Sequence, residues 1–501
     1  MKKPGIHAIR QNRVRNRIWR IGYGLPHLPS RTTPKGPAIK GCDKGHAYRV
    51  LAGEGGAAQK AGMTIRSHSS TRRPSAPPVA MDPTRDAACR LLNGVLEQHR
   101  SLEEALNALP PMEPRDRAAA HRLAATALRR LGTIDAVLEP FLRREPPAPV
   151  RDILRLGAAG LLFLDTPPHA AVGTAVDLAR QLRLAPFTGL INAVLRKVAT
   201  GGQEMLDGLD SPRLDTPGWL WIAWGRDARA IALAHQTEAP LDLTLRPGTR
   251  PPAEAVLLPN GTARLPAGTR VNALPGFEEG AFWVQDAAAS LPARLLAARA
   301  GEKIVDLCAA PGGKTAQLAM AGAEVIAVER EAARVPRLRE NLARLRLDVQ
   351  VAVADAAEWR PPAGFVPDAI LLDAPCSATG TIRRHPDVPH LKRQRDVTAL
   401  TMQQDRLLAA ALSMLRPGGR LIYAVCSMQP EEGRQRIEHA LKTLPSVTLA
   451  PFTVEELAFL PQARTAEGYL RTHPGLAFAG LEGSPPITGM DGFFAARLMV
   501  R

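Results

Sequence analysis

No apolar run in these 501 residues approaches the ~18–20 that a membrane-spanning helix needs, so no membrane partner is expected. The short run Leu161–Leu164 reads as part of a core helix. Cysteine is sparse, with five residues, an odd and widely spaced set that excludes a disulfide framework and points to a reducing, cytoplasmic compartment. No His/Cys pair near them has metal-ligand spacing, so no metal site is expected. Acidic residues are almost missing from the first 80 positions, which hold 16 Lys/Arg against 2 Asp/Glu. The other 421 positions hold 49 against 46, so the formal charge of +17 describes a tail and is no evidence of RNA binding by the body. Two nucleotide-binding patterns are missing as well. A P-loop requires glycine five residues before Gly313, where Cys308 stands, and no G-x-G-x-x-G occurs.

What is present centres on Lys303–Thr315. Ile304, Val305 and Leu307 form a short apolar run that breaks at Pro311-Gly312-Gly313 and is followed by an Ala/Leu-rich helical pattern. Strand, tight turn and helix open a Rossmann-like α/β unit. Glycines allow close backbone approach, and the helix N-terminus favours a negative group. Without phosphate spacing, an adenosine ligand with a carboxylate, such as S-adenosylmethionine, fits better. Further strands are expected at 324–328, 349–353, 369–372 and 420–425, ending at Glu329, Asp355, Asp373 and Cys426. Singly, each acid reads as a cap or turn residue. Together they mark the C-terminal edge, where open α/β sheets bind ligands. The expected donor site is Cys308, Ala309, Ala310, Pro311, Gly312, Gly313 and Lys314 with Glu329, Asp355 and Asp373, and Glu329 stands where a Rossmann acid meets a ribose hydroxyl.

Along the chain, residues 1–80 read as a disordered basic extension: a nucleic-acid arm, a transit peptide, or translated upstream sequence with the true start at Met81. Residues 82–200 carry helical stripes, such as Ile134/Val137/Leu138/Phe141/Leu142, between proline joints, predicting an all-α domain that serves folding or docking. Residues 201–285 are a linker (201–217) and a small α+β subdomain with strands at 241–245 and 256–258. Trp219, Trp221 and Trp224 there suggest domain packing over a base-stacking platform. Residues 286–501 form the Rossmann-like domain, with Phe282–Asp286 leading into the helix before the glycine loop.

Cys376 and Cys426 end the fourth and fifth of these strands, so they are expected within a few ångströms of one another at the ligand edge. Free cysteines are commonly small buried apolar residues, which accounts for Cys89 and Cys42. Segments 306–315, Asp373-Ala-Pro-Cys-Ser377 and Tyr423-Ala-Val-Cys-Ser427 resemble the motifs of S-adenosylmethionine-dependent RNA cytosine-5 methyltransferases. The 379–387 continuation, Asp491-Gly-Phe-Phe494 and the helical segment 187–196 narrow the resemblance to the bacterial Sun/Fmu type with an N-terminal NusB-like domain. It spans 82–501, and Val425 departs from the threonine common before the nucleophile.

The resemblance implies a NusB-like RNA-binding domain and methylation of carbon 5 of a cytosine in 16S ribosomal RNA by a monomer. Cys426 is then the attacking thiolate, Cys376 assists its release, and Asp373 bonds base or donor. Arg383, Arg384 and His385 are candidates for lowering the thiol pKa or holding RNA phosphates. The alternatives are another RNA (tRNA or 23S rRNA), a DNA-methyltransferase-like pattern with Pro375-Cys376 as nucleophile, and a non-catalytic ribosome-assembly factor.

Overall fold

Helical stripes in the N-terminal part close on one another because their buried faces are nearly all Ala, Leu, Ile and Val. The computed structural model describes residues 82–478 and 487–501; the expectations for residues 1–80 and for Cys42 lie outside them. Seven helices build this part: α1 (Pro83–Leu96), α2 (Leu102–Asn107), α3 (Pro114–Arg129), α4 (Leu131–Leu138), α5 (Ala148–Phe163), α6 (Pro168–Gln181) and α7 (Thr188–Asp207). Asp82 caps α1, and Ser101 with Glu104 forms a capping box on α2. The stripe expected to run unbroken from Ile134 to Leu142 stops at Leu138, because Pro140 cannot continue the helical ladder and the chain tightens into a 3₁₀ turn. The expected linker is also shorter. Helix α7 runs through Gly201 and Gly202 to Asp207, and Gly202 is a packing glycine whose added Cβ would lie 3.0 Å from Leu162 and Val198.

After α8 (Ser211–Leu214), helices α9 (Gly218–Trp224) and α10 (Ala228–His235) pack the tryptophans into a small apolar cluster with Leu220, Ile231, Ile382, Val388 and Met428. Trp224 is buried edge-on against His235. The tryptophans therefore join domains. A four-stranded sheet follows: β1 (Leu241–Leu245), β2 (Val256–Leu257), β3 (Ala263–Leu265) and β4 (Phe282–Val284), in the order β2-β3-β1-β4. Two of its strands, β3 and β4, were not expected as strands.

The second core is a twisted sheet. Helix α11 (Leu291–Leu296) precedes β5 (Lys303–Leu307), α12 (Gly313–Met320), β6 (Glu324–Glu329), α13 (Val335–Arg344), β7 (Gln350–Val353) and β8 (Ala369–Asp373). Then come α14 (Val388–Leu391), α15 (Gln394–Met414), β9 (Arg420–Val425), α16 (Arg434–Thr443) and β10 (Val447–Leu449). Short strands β11 (Leu470–Arg471), β12 (Ala477–Phe478) and β13 (Ile487–Thr488) lead to β14 (Phe494–Val500). The strand order is β10-β14-β9-β8-β5-β6-β7, with β5 to β9 parallel and β14 antiparallel. Continuous apolar strands such as Ala369–Leu372 follow from burial on both faces. Leu307 pairs with both Val328 and Leu372, and Asp373 with Ala424, so the strand ends share one edge. Among the described residues no helix is long and apolar enough to cross a membrane.

Candidate active site

At that edge the β5–α12 turn, the ends of β8 and β9, and the 283–289 segment line a cavity of about 470 Å³. Cys308 through Lys314, Asp306, Asp373 and Cys426 all face it. The turn needs its glycine, because Gly312 has φ +100° and an added Cβ would lie 2.6 Å from Leu338 Cδ1. Lys314 Nζ donates to Asp373 Oδ2 at 2.7 Å and sits 5.1 Å above the Phe493 ring. Burial penalises the Lys314 ammonium, yet Asp373, joined by Cys426 and Asp306, raises its pKa on balance. Asp306 is buried under the cavity. Thr315 donates to its Oδ2 at 2.5 Å, while its Oδ1 has no partner. Burial pushes the Asp306 carboxyl up to about 7.

Cys376 and Cys426 stand 3.4 Å apart, sulfur to sulfur. The hydrogen bond with Cys426, then burial, raises the Cys376 pKa well above a free thiol, so Cys376 is held protonated. Cys308 is also pushed up, to about 12, chiefly by burial. It faces the cavity as an inert thiol.

Two expected donor residues stand apart from the cavity lining. Glu329 is buried with both oxygens occupied by the backbone N–H groups of Ala310 (3.1 Å) and Glu331 (2.9 Å). It therefore shapes the turn itself. Asp355 accepts from the Ala357 N–H at 2.9 Å and lines a separate polar hollow with Arg330, Met402 and Arg406.

Two family models match the chain, the NusB family over residues 82–200 and "16S rRNA methyltransferase RsmB/F" over residues 293–499. Ribosomal RNA small subunit methyltransferase B of Cronobacter sakazakii is 35% identical over 447 residues, which cover 83% of this chain and 98% of that protein. The protein of that name in Vibrio cholerae is 38% identical over 395 residues, covering 73% and 90%. The chain belongs to the RsmB/F family of 16S rRNA methyltransferases. It is thus an S-adenosylmethionine-dependent methyltransferase with an N-terminal NusB domain. The crystal structure of PH0851 shares the fold, with a TM-score of 0.65 at 23% identity over 85% of this chain and 99% of that one.

Within this RsmB/F member, the basic triplet Arg383-Arg384-His385 divides into two kinds of residue. Arg384 donates to Asp286 at 2.5 Å and to Asp491 at 3.1 Å, and Arg383 to Asp286 at 3.3 Å. Burial works against the charge on Asp286, but Arg384 and Arg383 hold its pKa down to about 2. Burial, then Asp286, pushes its neighbour Asp491 up to about 7. Both arginines are thereby committed to buried carboxylates and are poorly placed to hold phosphates. His385 is exposed at the cavity mouth.

The same loop is tied to the helical domain. Asp387 accepts from the Leu102 N–H at the start of α2, Arg129 donates to the Arg383 carbonyl, and His390 Nε2 lies 2.9 Å from the Leu128 carbonyl. Sequence reasoning assigned no role to Asp286 and Asp491, nor to Glu432 behind the cysteines. Asp491 was marked in the sequence only by its place in the 491–494 motif, and the burial that gives Asp286 and Glu432 their partners appears only in the fold.

Proposed function

We propose that this enzyme methylates carbon 5 of a cytosine in 16S ribosomal RNA, with Cys426 as nucleophile and Cys376 as its proton-holding partner. The single observation that carries the reading is the Cys426 thiol on the wall of the cavity with the Cys376 thiol 3.4 Å behind it. Cys308–Lys314 and Asp373 would hold the donor, with Glu329 supporting the turn and Asp355 at the neighbouring strand end. The residues suit that group: the cavity volume is that of a small-molecule site, and the unpartnered Asp306 Oδ1 at its floor matches the donor's ammonium. When bound, S-adenosylmethionine supplies an electrophilic methyl group on a sulfonium.

Carbon 5 of cytosine is too weak a nucleophile to react unaided. The Cys426 thiolate adds to carbon 6, and the electron pair displaced onto carbon 5 makes that carbon the attacking centre. Asp373, fixed by Lys314, faces the space that the base must enter and can accept a hydrogen bond from it. After methylation the carbon-5 proton leaves to a base, the carbon 5–carbon 6 double bond re-forms, and the Cys426–carbon 6 bond breaks. Cys376, kept as a thiol, hydrogen-bonds to the departing sulfur and stabilises its negative charge.

Running both serine variants with RNA and donor on one denaturing gel tests these roles. Cys426→Ser should neither methylate nor form an adduct, since a hydroxyl is a far poorer nucleophile near pH 7. Cys376→Ser should accumulate a denaturation-resistant protein–RNA band. The reverse pattern makes Cys376 the nucleophile, and two active variants without adduct refute covalent catalysis.

A further inference from the structure

Behind the two cysteines lies a carboxylate that the reaction itself does not use. Glu432 follows β9, in the turn before α16, and is fully buried. Its Oε2 accepts the hydroxyls of Ser377 and Ser427, each at 2.5 Å. Its Oε1 accepts the Ser377 backbone N–H at 2.8 Å and the Gln404 side chain at 3.2 Å. Those two serines are the residues that directly follow Cys376 and Cys426. Gln404 also donates to the Pro375 carbonyl at 2.9 Å, which fixes the other side of Cys376. The Glu432 carbonyl in turn accepts the hydroxyl of buried Tyr423 on β9 at 2.7 Å. The Glu432 backbone is thus pinned to β9 while its carboxylate grips both cysteine turns.

A buried carboxylate is costly to desolvate, and every donor on this one is neutral. An apolar side chain would fill the space more cheaply but would bind neither turn. We propose that Glu432 is a positioning residue that sets the separation and mutual aim of the Cys376 and Cys426 sulfurs. The inference rests on the reading that both thiols take part in the reaction. With the carboxylate in place the two turns cannot move independently, because one oxygen holds a serine from each.

Three variants test it: Glu432→Ala, Glu432→Gln, which retains an acceptor oxygen and the volume, and the double variant Ser377→Ala/Ser427→Ala, which cuts the two arms. For each, kcat and KM for RNA, calorimetric donor affinity, and the rate of Cys376–Cys426 disulfide formation with diamide are measured. In that oxidation the two thiols lose two electrons and two protons to the azo group, so its rate reports sulfur geometry without RNA chemistry. Misplacing reacting groups by about 1 Å costs on the order of 100-fold in rate, so Glu432→Ala should lose about that in kcat with little change in KM or donor affinity. Disulfide formation should slow in the same variants, and Glu432→Gln should recover most of both. Should Glu432→Ala fail to fold, the double variant carries the test, with the same expected split.

Wild-type kcat and disulfide rate in the double variant would overturn the proposal. So would a loss of donor affinity as large as the loss of kcat that Glu432→Gln does not recover. If Cys426→Ser still methylates, the catalytic reading fails instead, and the disulfide rate still decides what Glu432 does.

Discussion

Asp306→Asn removes a carboxyl whose protonation is coupled to folding, and the structure sets the size of the effect. Burial pushes Asp306 from 3.8 to about 7 in the folded chain. A raised folded pKa means that the native state binds the proton more tightly. The favourable contribution is therefore complete below pH 3.8 and is lost as pH rises toward 7. At 1.36 kcal/mol per unit, the carboxyl destabilises the donor-free protein by roughly 2 kcal/mol at pH 5 and roughly 4 kcal/mol at pH 8. Asparagine has no proton to lose in this range. Comparing wild type and Asp306→Asn by denaturant unfolding at pH 5 and pH 8, without donor, should give a difference that moves in favour of the variant by about 2–3 kcal/mol. The difference between the two proteins isolates this group from Asp491, which shares the same pH window. Saturating donor should shrink the shift, because its ammonium would satisfy the ionised carboxylate. Parallel stability–pH curves for the two proteins would refute the reasoning.

Two further perturbations follow from the same contacts. Glu329→Ala leaves the buried Ala310 N–H without its acceptor, so denaturant unfolding should show a loss of about 1–3 kcal/mol, and calorimetric donor affinity should fall as the turn that lines the donor cavity loosens. Wild-type affinity would remove Glu329 from the donor site altogether. Arg129→Ala deletes the donor from α3 to the Arg383 carbonyl, so kcat should fall through the 383–385 loop while donor affinity holds within about 2-fold, as expected of a contact outside the donor cavity; unchanged turnover with RNA would show that this tie is only structural.

The elements legible in the sequence were those whose signal is local. Stripes at helical spacing located α1, α4, α6 and α7, and apolar runs ending at a turn residue located β5 to β9, because each pattern is set by the face an element buries. Failures came where a local signal was short or ambiguous. Ala263–Leu265 is three residues, too few to show a period, and is a strand through its pairing with Leu241–Leu243 on one side and Val256–Leu257 on the other. Gly201 and Gly202 looked like punctuation, yet Gly202 is small because α5 passes close by at Leu162.

The site divides along the same line, and the division has a physical cause. A residue at the end of a strand can be placed at the ligand edge from sequence alone, which is how Asp373, Cys376 and Cys426 were brought together. Where its side chain then points depends on which polar groups lack partners nearby. Glu329 stands at the expected strand end, but the Ala310 N–H, with no partner inside the tight turn, captures its carboxylate. Arg384 lies beside the cavity as its motif suggests, but Asp286, 98 positions away in sequence, captures its guanidinium. Glu432 gains its role from two serines whose only sequence mark is that each follows a cysteine. Strand topology thus fixes the neighbourhood of each reactive group, and the accounting of buried donors and acceptors fixes its aim. That accounting pairs residues from 5 to 98 positions apart with no period to mark them, so it becomes readable only once the chain is folded.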